Sequence, residues 1–224
     1  MELKSVVPWG RSLKEYRDMF LLSDADLNKT ILGCGDGPAC FNAQWTQMGG
    51  KIVSVDPIYQ FSSEQIKARI DELYPEIMAQ MSKTAEHYVW SCIKSVSDLG
   101  KIRMEAMEKF LLDYASATEG RYVNSSLPNL PFSDLQFDLA LCSHYLFLYS
   151  DQVSEEEHMK AITELCRVAK EIRIYPLVAL NGSKSEHIEP VVTLLNSLNR
   201  RVSFKEVNYE FQKGATQMLV ASGV

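Results

Sequence analysis

The run Thr30-Ile31-Leu32-Gly33-Cys34-Gly35-Asp36-Gly37-Pro38 decides how this chain is read. A short β-rich stretch ends in three glycines at alternate positions. The chain then passes into a pattern expected to hold a helix of about 11 residues, ending at Gly49-Gly50. Glycines at a strand-to-helix bend permit a tight reversal and let a ligand approach the backbone with no Cβ in the way. The spacing is G-x-G-x-G, which differs from the G-x-G-x-x-G of dinucleotide enzymes, and no Gly-Lys-Ser/Thr follows to make a phosphate loop. The next strand, Lys51 to Val55, closes on Asp56, 21 residues after Gly35. A carboxylate there can accept both hydroxyls of a ribose, as in other doubly wound nucleotide folds.

Working outward, the same rhythm recurs. Arg121-Tyr122-Val123, Phe137-Asp138-Leu139-Ala140-Leu141 and Ile172-Arg173-Ile174 are further short runs separated by helical patterns, which reads as a parallel sheet covered on both faces. Ser154 and Glu157 make a capping box, followed by a stripe at Met159, Ile162, Cys166 and Ala169. Glu155-Glu156-Glu157 reads as the solvated first turn of that helix. Val202 to Phe211 and Thr216 to Ala221 are expected to pair as a hairpin across Lys213-Gly214, giving the sheet an antiparallel edge.

One segment breaks the rhythm. Residues 60–120 carry a capping box at Ser62 and Gln65, a stripe at Ile66, Ile70, Leu73, Ile77 and Met81 interrupted at Pro75, and a second stripe at Leu99, Ile102, Ala106, Phe110 and Tyr114. This predicts a helical insertion after the second strand. It either covers a substrate or adds core or a homodimer face. The whole chain, 1–224, is expected to be one domain, with residues 1–28 as an N-terminal helical cover.

Composition narrows the function. With 23 Lys+Arg against 29 Asp+Glu, the net charge of -6 disfavours a nucleic-acid partner, which needs a cationic surface. Five cysteines without a C-x-x-C pair predict neither a disulfide framework nor a cysteine zinc site, and they suit a reducing cytoplasm. Residues 1–20 intersperse Lys4, Arg11, Lys14 and Arg17 among apolar positions. They are expected to be neither a signal peptide nor a membrane span. His87, His158 and His187 lack metal-ligand spacing, so no metal site is expected.

The run Ile31 to Pro38, the strand end Val55-Asp56-Pro57 and the segment Leu130-Pro131-Phe132-Ser133-Asp134-Leu135-Gln136-Phe137-Asp138-Leu139 together resemble class I S-adenosylmethionine-dependent methyltransferases. The resemblance spans roughly residues 29–60 and 120–224. It implies a Rossmann-like, doubly wound α/β fold with a seven-stranded sheet and an antiparallel C-terminal hairpin strand. By this likeness S-adenosylmethionine would lie with its methionine part along Gly33, Cys34, Gly35 and Gly37. Asp56, followed by Pro57, would hold the ribose, and Ser125, Ser126 and Leu127 would border the adenine. Cys142 and Ser143 would face the sulfonium, and Arg11 would pair with the methionine carboxylate. The family's usual acid near the start of the glycine run is missing, its place taken by Ile31 or Gly33, so the contact to the cofactor's ammonium group must come from elsewhere.

The stretch Leu141 to Tyr149 follows the fourth strand, where open α/β sheets place ligands. It lacks the Asn/Asp-Pro-Pro-aromatic signature of amine methyltransferases acting on bases or glutamine. His144 is the candidate general base there, with Tyr145 and the more distant Tyr175 as aromatic neighbours of a sulfonium. The expected activity is methyl transfer to a small molecule by in-line alignment. Two alternatives stand beside it. One is a cyclase of the same fold, in which a neutral amine forms azetidine-2-carboxylate and releases methylthioadenosine. The other is a binding module without catalysis.

Overall fold

The computed structural model describes residues 8–223; Val224 and residues 1–7, with Lys4 of the expected cover, lie outside the described residues. The strands are β1 (Thr30–Cys34), β2 (Lys51–Val55), β3 (Tyr122–Val123), β4 (Phe137–Ser143), β5 (Ala169–Tyr175), β6 (Arg200–Glu206) and β7 (Gln217–Gly223). They form one seven-stranded sheet in the order β3-β2-β1-β4-β5-β7-β6. β7 runs antiparallel to both β5 and β6, while the other pairings are parallel. The antiparallel strand therefore lies one place in from the edge, and β6 is the edge strand.

Six helices accompany the sheet: α1 (Leu13–Phe20), α2 (Phe41–Gln47), α3 (Ser63–Lys83), α4 (Val96–Tyr114), α5 (Glu155–Val168) and α6 (Ile188–Ser197). The period of two along the strands divides the core. Leu32, Ala140 and Cys142 point into the cluster built with Ile162, Leu165 and Val191. Their neighbours Ile31, Leu139 and Leu141 point into the cluster built with Tyr16, Phe20, Phe41 and Trp45. Central strands buried on both faces are why these runs read as continuous apolar stretches.

Three expected boundaries differ. α2 has seven residues, because Gly35 to Cys40 are spent on the bend, where the Ala39 amide donates to the Asp36 carbonyl at 3.3 Å. The expected hairpin strand from Val202 to Phe211 stops at Glu206, and residues 207–216 make a long excursion that carries Tyr209 and Phe211 over the sheet's end. α3 runs unbroken through Pro75 for 21 residues. Pro75 and Asp71, whose carbonyl loses its helical donor, are both exposed, so water serves the orphaned group while Ile66, Ile70, Ile77 and Met81 hold the helix on its buried side.

The cover is fastened at one carboxylate. Glu15 closes the capping box of α1, accepting from the Ser12 amide and hydroxyl, each at 2.9 Å. The same side chain accepts from Arg103 Nη1 of α4 at 2.7 Å and from the Tyr209 hydroxyl at 2.8 Å. Arg103 is 0% exposed. Burial works to raise the Glu15 pKa, but the Arg103 charge and hydrogen bond outweigh it and hold the carboxyl at about 2.

Removing one partner strands a buried charge. Glu15→Gln should therefore lower the unfolding free energy by about 3–5 kcal/mol in urea titrations at neutral pH, with part recovered in the Glu15→Gln/Arg103→Met double variant. Because the folded pKa is depressed, this stabilisation is complete above the ordinary glutamate range and fades as pH falls from there towards 2. Acid titrations of wild type and Glu15→Gln should accordingly converge at low pH.

Candidate functional site

Where the strand order reverses, between β1 and β4, the C-terminal ends of β1, β2 and β4 open into a cavity of about 460 Å³. This is where open α/β sheets leave a crevice for ligands. The near wall is the bend from Cys34 to Gly37, followed by Asp56 and Pro57 at the end of β2. Ser125, Ser126 and Leu127 form one flank, and Ser143, His144 and Tyr145 form the other. The far wall comes from segments distant in sequence: Trp9 and Arg11 before α1, Met81 and Tyr88 around the end of α3, Arg103 of α4, and Phe211 and Gln212 of the β6–β7 excursion.

The bend follows from its glycines. Gly35 and Gly37 adopt φ of 69° and 54°, left-handed backbone that a side chain would strain. The Gly35 amide donates to the Val55 carbonyl at 3.0 Å. Asp56 ties the turn to β2, with Oδ2 accepting from the Gly37 amide and Oδ1 from the Ile58 amide, both at 2.9 Å. Each of these oxygens keeps a second lone pair. Burial raises the Asp56 pKa against those two amide bonds.

Gly33 has a different role from the expected one. It does not line the cavity. A Cβ there would sit 1.9 Å from Asp36 Oδ2, so the glycine makes room for the Asp36 carboxylate to fold back beneath the strand. Asp36 accepts from the Tyr16 hydroxyl at 2.7 Å and from the Ser54 hydroxyl at 2.5 Å. Burial pushes its carboxyl up to about 6; the Ser54 and Tyr16 bonds oppose the rise and the nearby Asp56 adds to it.

His144 has φ of 51°, unusual for a side-chain-bearing residue, and its amide is fixed to the Tyr175 carbonyl at 2.8 Å. Nδ1 lies 3.0 Å from the Ser143 hydroxyl. Burial, with the Arg11 and Arg103 charges, holds the ring well below the usual histidine range, so it is neutral near pH 7. Two residues expected at the site, Tyr175 and Cys142, do not line the cavity, although the Tyr175 ring meets His144 edge-on at 5.4 Å. Tyr175 is 1% exposed, and its hydroxyl is spent on the main-chain carbonyls of Ala215 (2.8 Å) and Tyr209 (3.2 Å), so it belongs to the core. Cys142 is buried in the opposite cluster, its thiol pushed up to about 12 by burial.

Arg11 does face the cavity. Its Nη1 donates to the Trp9 carbonyl at 3.3 Å, its Nε is buried without a partner, and among the described residues no carboxylate lies within ion-pair reach of it. Sequence reasoning missed Asp36, Tyr16, Arg103 and the Tyr88–Phe211 wall. Asp36 sits inside the glycine turn, where local spacing does not set it apart from a loop residue. Arg103 carried a readable signal, since it falls on the buried α4 stripe with Leu99, Ala106 and Phe110.

The strand order, the antiparallel seventh strand and the crevice beside the glycine bend are those of the Rossmann-like fold of class I S-adenosylmethionine-dependent methyltransferases. The fold aligns with magnesium protoporphyrin IX methyltransferase from Synechocystis, solved with bound S-adenosylmethionine, at a TM-score of 0.51 and 13% identity over 93% of this chain and 77% of that one. It aligns with a methyltransferase from Pyrococcus furiosus at a TM-score of 0.51 and 11% identity, over 95% of this chain and 83% of the other. At such identities the likeness speaks to the fold. No family model matches the chain. It is 30% identical over 223 residues to an uncharacterized protein of Methanocaldococcus jannaschii, spanning 98% of this chain and 97% of the relative, and it belongs to the same family as that protein. Among the described residues no helix is long and apolar enough to cross a membrane.

The raised Asp36 pKa has a sign that can be checked. The folded state binds this proton more tightly than the unfolded state, so stability falls as pH rises from about 4 to about 6 and stays lower by about 3 kcal/mol above it. Asp36→Asn should remove that slope. In urea titrations its stability relative to wild type should rise by about that amount between pH 4 and neutrality.

Proposed function

We propose that this chain binds S-adenosylmethionine in the crevice beside Gly35 and transfers a methyl group to a small molecule. The observation that carries the reading is Arg11, a guanidinium set into the cavity wall with a buried, unpartnered Nε and, among the described residues, no carboxylate within ion-pair reach. Such a group calls for an anionic partner, and the methionine carboxylate supplies one. The remaining lone pairs of Asp56 suit the two ribose hydroxyls. Ser125, Ser126 and Leu127 border the adenine, while Cys34, Gly35, Gly37 and Pro57 present a surface with little side-chain bulk. Ser143, His144 and Tyr145 flank the reacting end.

When bound, the cofactor supplies an electrophilic methyl group on a sulfonium. The chain's own part is to hold the cofactor's two ends apart on Arg11 and Asp56, to exclude water with the cover, and to align the acceptor; such positioning is worth several kcal/mol of a reaction barrier. Asp36 is among the residues around the cavity, with its carboxylate folded beneath β1 onto the Tyr16 and Ser54 hydroxyls. The crevice is open to a ligand, which favours an enzyme over a module that keeps only the fold. Its enclosure by the far wall favours a small acceptor over a polymer.

Calorimetry should detect binding of S-adenosylmethionine and of its demethylated product. Asp56→Ala should weaken both by about 1.5–3 kcal/mol, roughly ten- to a hundredfold. Arg11→Met should weaken both while leaving 5′-methylthioadenosine, which lacks the carboxylate, unaffected. Absence of binding by the folded wild-type protein would end this reading.

A further inference from the structure

The strap that leads from β4 to α5, residues 147–154, is fastened by two histidines that do not themselves line the cavity. Leu148 and Tyr149 of the strap do line it, as does Leu180, whose amide donates to the Leu148 carbonyl at 3.0 Å. His158 of α5 and His187, just before α6, are both buried. Their bonds to the strap have one direction, because a main-chain carbonyl only accepts. His158 Nδ1 donates to the Ser154 carbonyl at 2.9 Å, and His187 Nε2 donates to the Ser150 carbonyl at 3.2 Å. The Ser150 hydroxyl is committed to the Phe147 carbonyl at 2.7 Å. Ser185 therefore donates to the Ser150 hydroxyl at 2.7 Å, while its own oxygen receives the His187 amide at 3.2 Å.

Each ring thus has one nitrogen spent as a donor and the other bare: His158 Nε2 and His187 Nδ1 are buried without a partner. The rings touch, with centroids 4.3 Å apart and planes tilted by 42°, and Phe147 stacks on His158 at 5.5 Å. A cationic ring here would hold a buried, unpartnered N–H beside a second ring, and no described ion pair includes either histidine, so both are neutral and the bare nitrogens are lone pairs. The charged groups of the packed elements, Asp151, Glu157, Lys160, Lys184, Glu186 and Glu189, are exposed, and Tyr149 lines the cavity. Among the described residues no third His, Cys, Asp or Glu joins the pair to make a metal site. What these lone pairs can take up is a proton.

We propose that the His158–His187 pair is an acid-sensitive lock on the Leu148–Tyr149 wall of the cavity, holding the strap while both rings are neutral and releasing it when either ring gains a proton. The first proton places a cation against a ring and the Phe147 face, with no carboxylate to meet it. The charged ring is better solvated outside, and the strap carbonyl it held loses its donor. Burial lowers the His158 pKa; the Ser154 bond opposes the shift and His187 adds to it. The folded state therefore binds this proton less tightly than the unfolded chain does. The contribution of the lock is complete above the ordinary histidine value of 6.5 and is lost as pH falls below it. Asp36 titrates in the opposite sense at similar pH, so the decisive comparison is between variants.

Amide hydrogen exchange of the full chain without ligand, corrected for intrinsic rates, tests this. Relative to β4, residues 147–154 should open at least about tenfold more at about pH 5.5 than at about pH 7.5. In the double variant His158→Asn/His187→Gln, the side-chain amides stand where Nδ1 and Nε2 stood, so both carbonyls keep a donor that does not titrate. The acid response of the strap should vanish there. Strap exchange that follows β4 at both pH values, or an acid response that persists in the folded double variant, overturns the lock. Should that variant not fold, nitrogen–proton NMR of wild type labelled at histidine decides. Protons on His158 Nδ1 and His187 Nε2 at neutral pH, with a ring cation appearing as the strap opens, support the lock. The opposite tautomers, or a ring cation with the strap still closed, overturn it. None of these measurements involves a cofactor, so the outcome stands whether or not the methyltransferase reading does.

Discussion

Glu15 is the group on which the upper half of the molecule depends. Its carboxylate caps α1, pairs with a fully buried arginine from α4 and accepts the hydroxyl of Tyr209 from the β6–β7 excursion. Three segments separated by most of the chain thus converge on two oxygen atoms. None of them pairs with the sheet's switch point through main-chain ladders. Without that convergence the crevice above β1 and β4 would lack its far wall and stand open to solvent. The cost of burying both charges is large, and removing one partner exposes that cost in full. The pair is therefore better understood as specifying one arrangement of the cover than as adding stability.

The sheet and the cover divide the work between backbone and side chain. Below, Gly35, Gly37 and the two amides held by Asp56 present a surface made almost wholly of main chain, and Gly33 is small because Asp36 must pass beneath it. Above, Trp9, Tyr88 and Phe211 offer large side chains on segments free to differ in length and sequence. A surface of peptide groups suits a ligand that stays the same. A surface of side chains suits a ligand that is chosen. This is the usual separation in folds that host many chemistries, with the site grafted on a constant frame.

How much was legible in the sequence follows from the same division. β2 was readable to the residue, as were the capping boxes at Ser62–Gln65 and Ser154–Glu157, because local spacing alone determines them. The near wall was readable because its glycines and Asp56 are contiguous with strands. Tyr175 was misplaced because an aromatic at a strand end looks the same whether its face meets a ligand or its hydroxyl meets buried carbonyls. Pro75 appeared to break α3, since a pattern does not reveal that the orphaned carbonyl would face water. The long excursion after Glu206 read as a strand because Val207, Tyr209 and Phe211 alternate, yet those side chains turn to cover the core and not to pair along an edge.

Asp36 shows what such a site costs the fold. Folding is opposed by an ionised carboxylate buried beneath a strand, and its neighbours, two hydroxyls, offset the loss of water only in part, which is why its pKa remains high. A protein selected for stability alone would place an asparagine or serine there. Keeping the acid makes sense if its charge is used, and Asp36 stands in the bend beside the crevice with its carboxylate on the Tyr16 hydroxyl. The strained backbone at His144 and the buried charge at Asp36 stand around the same crevice. Backbone strain and unfavourable burial side by side are what a site is expected to show when it is built for chemistry.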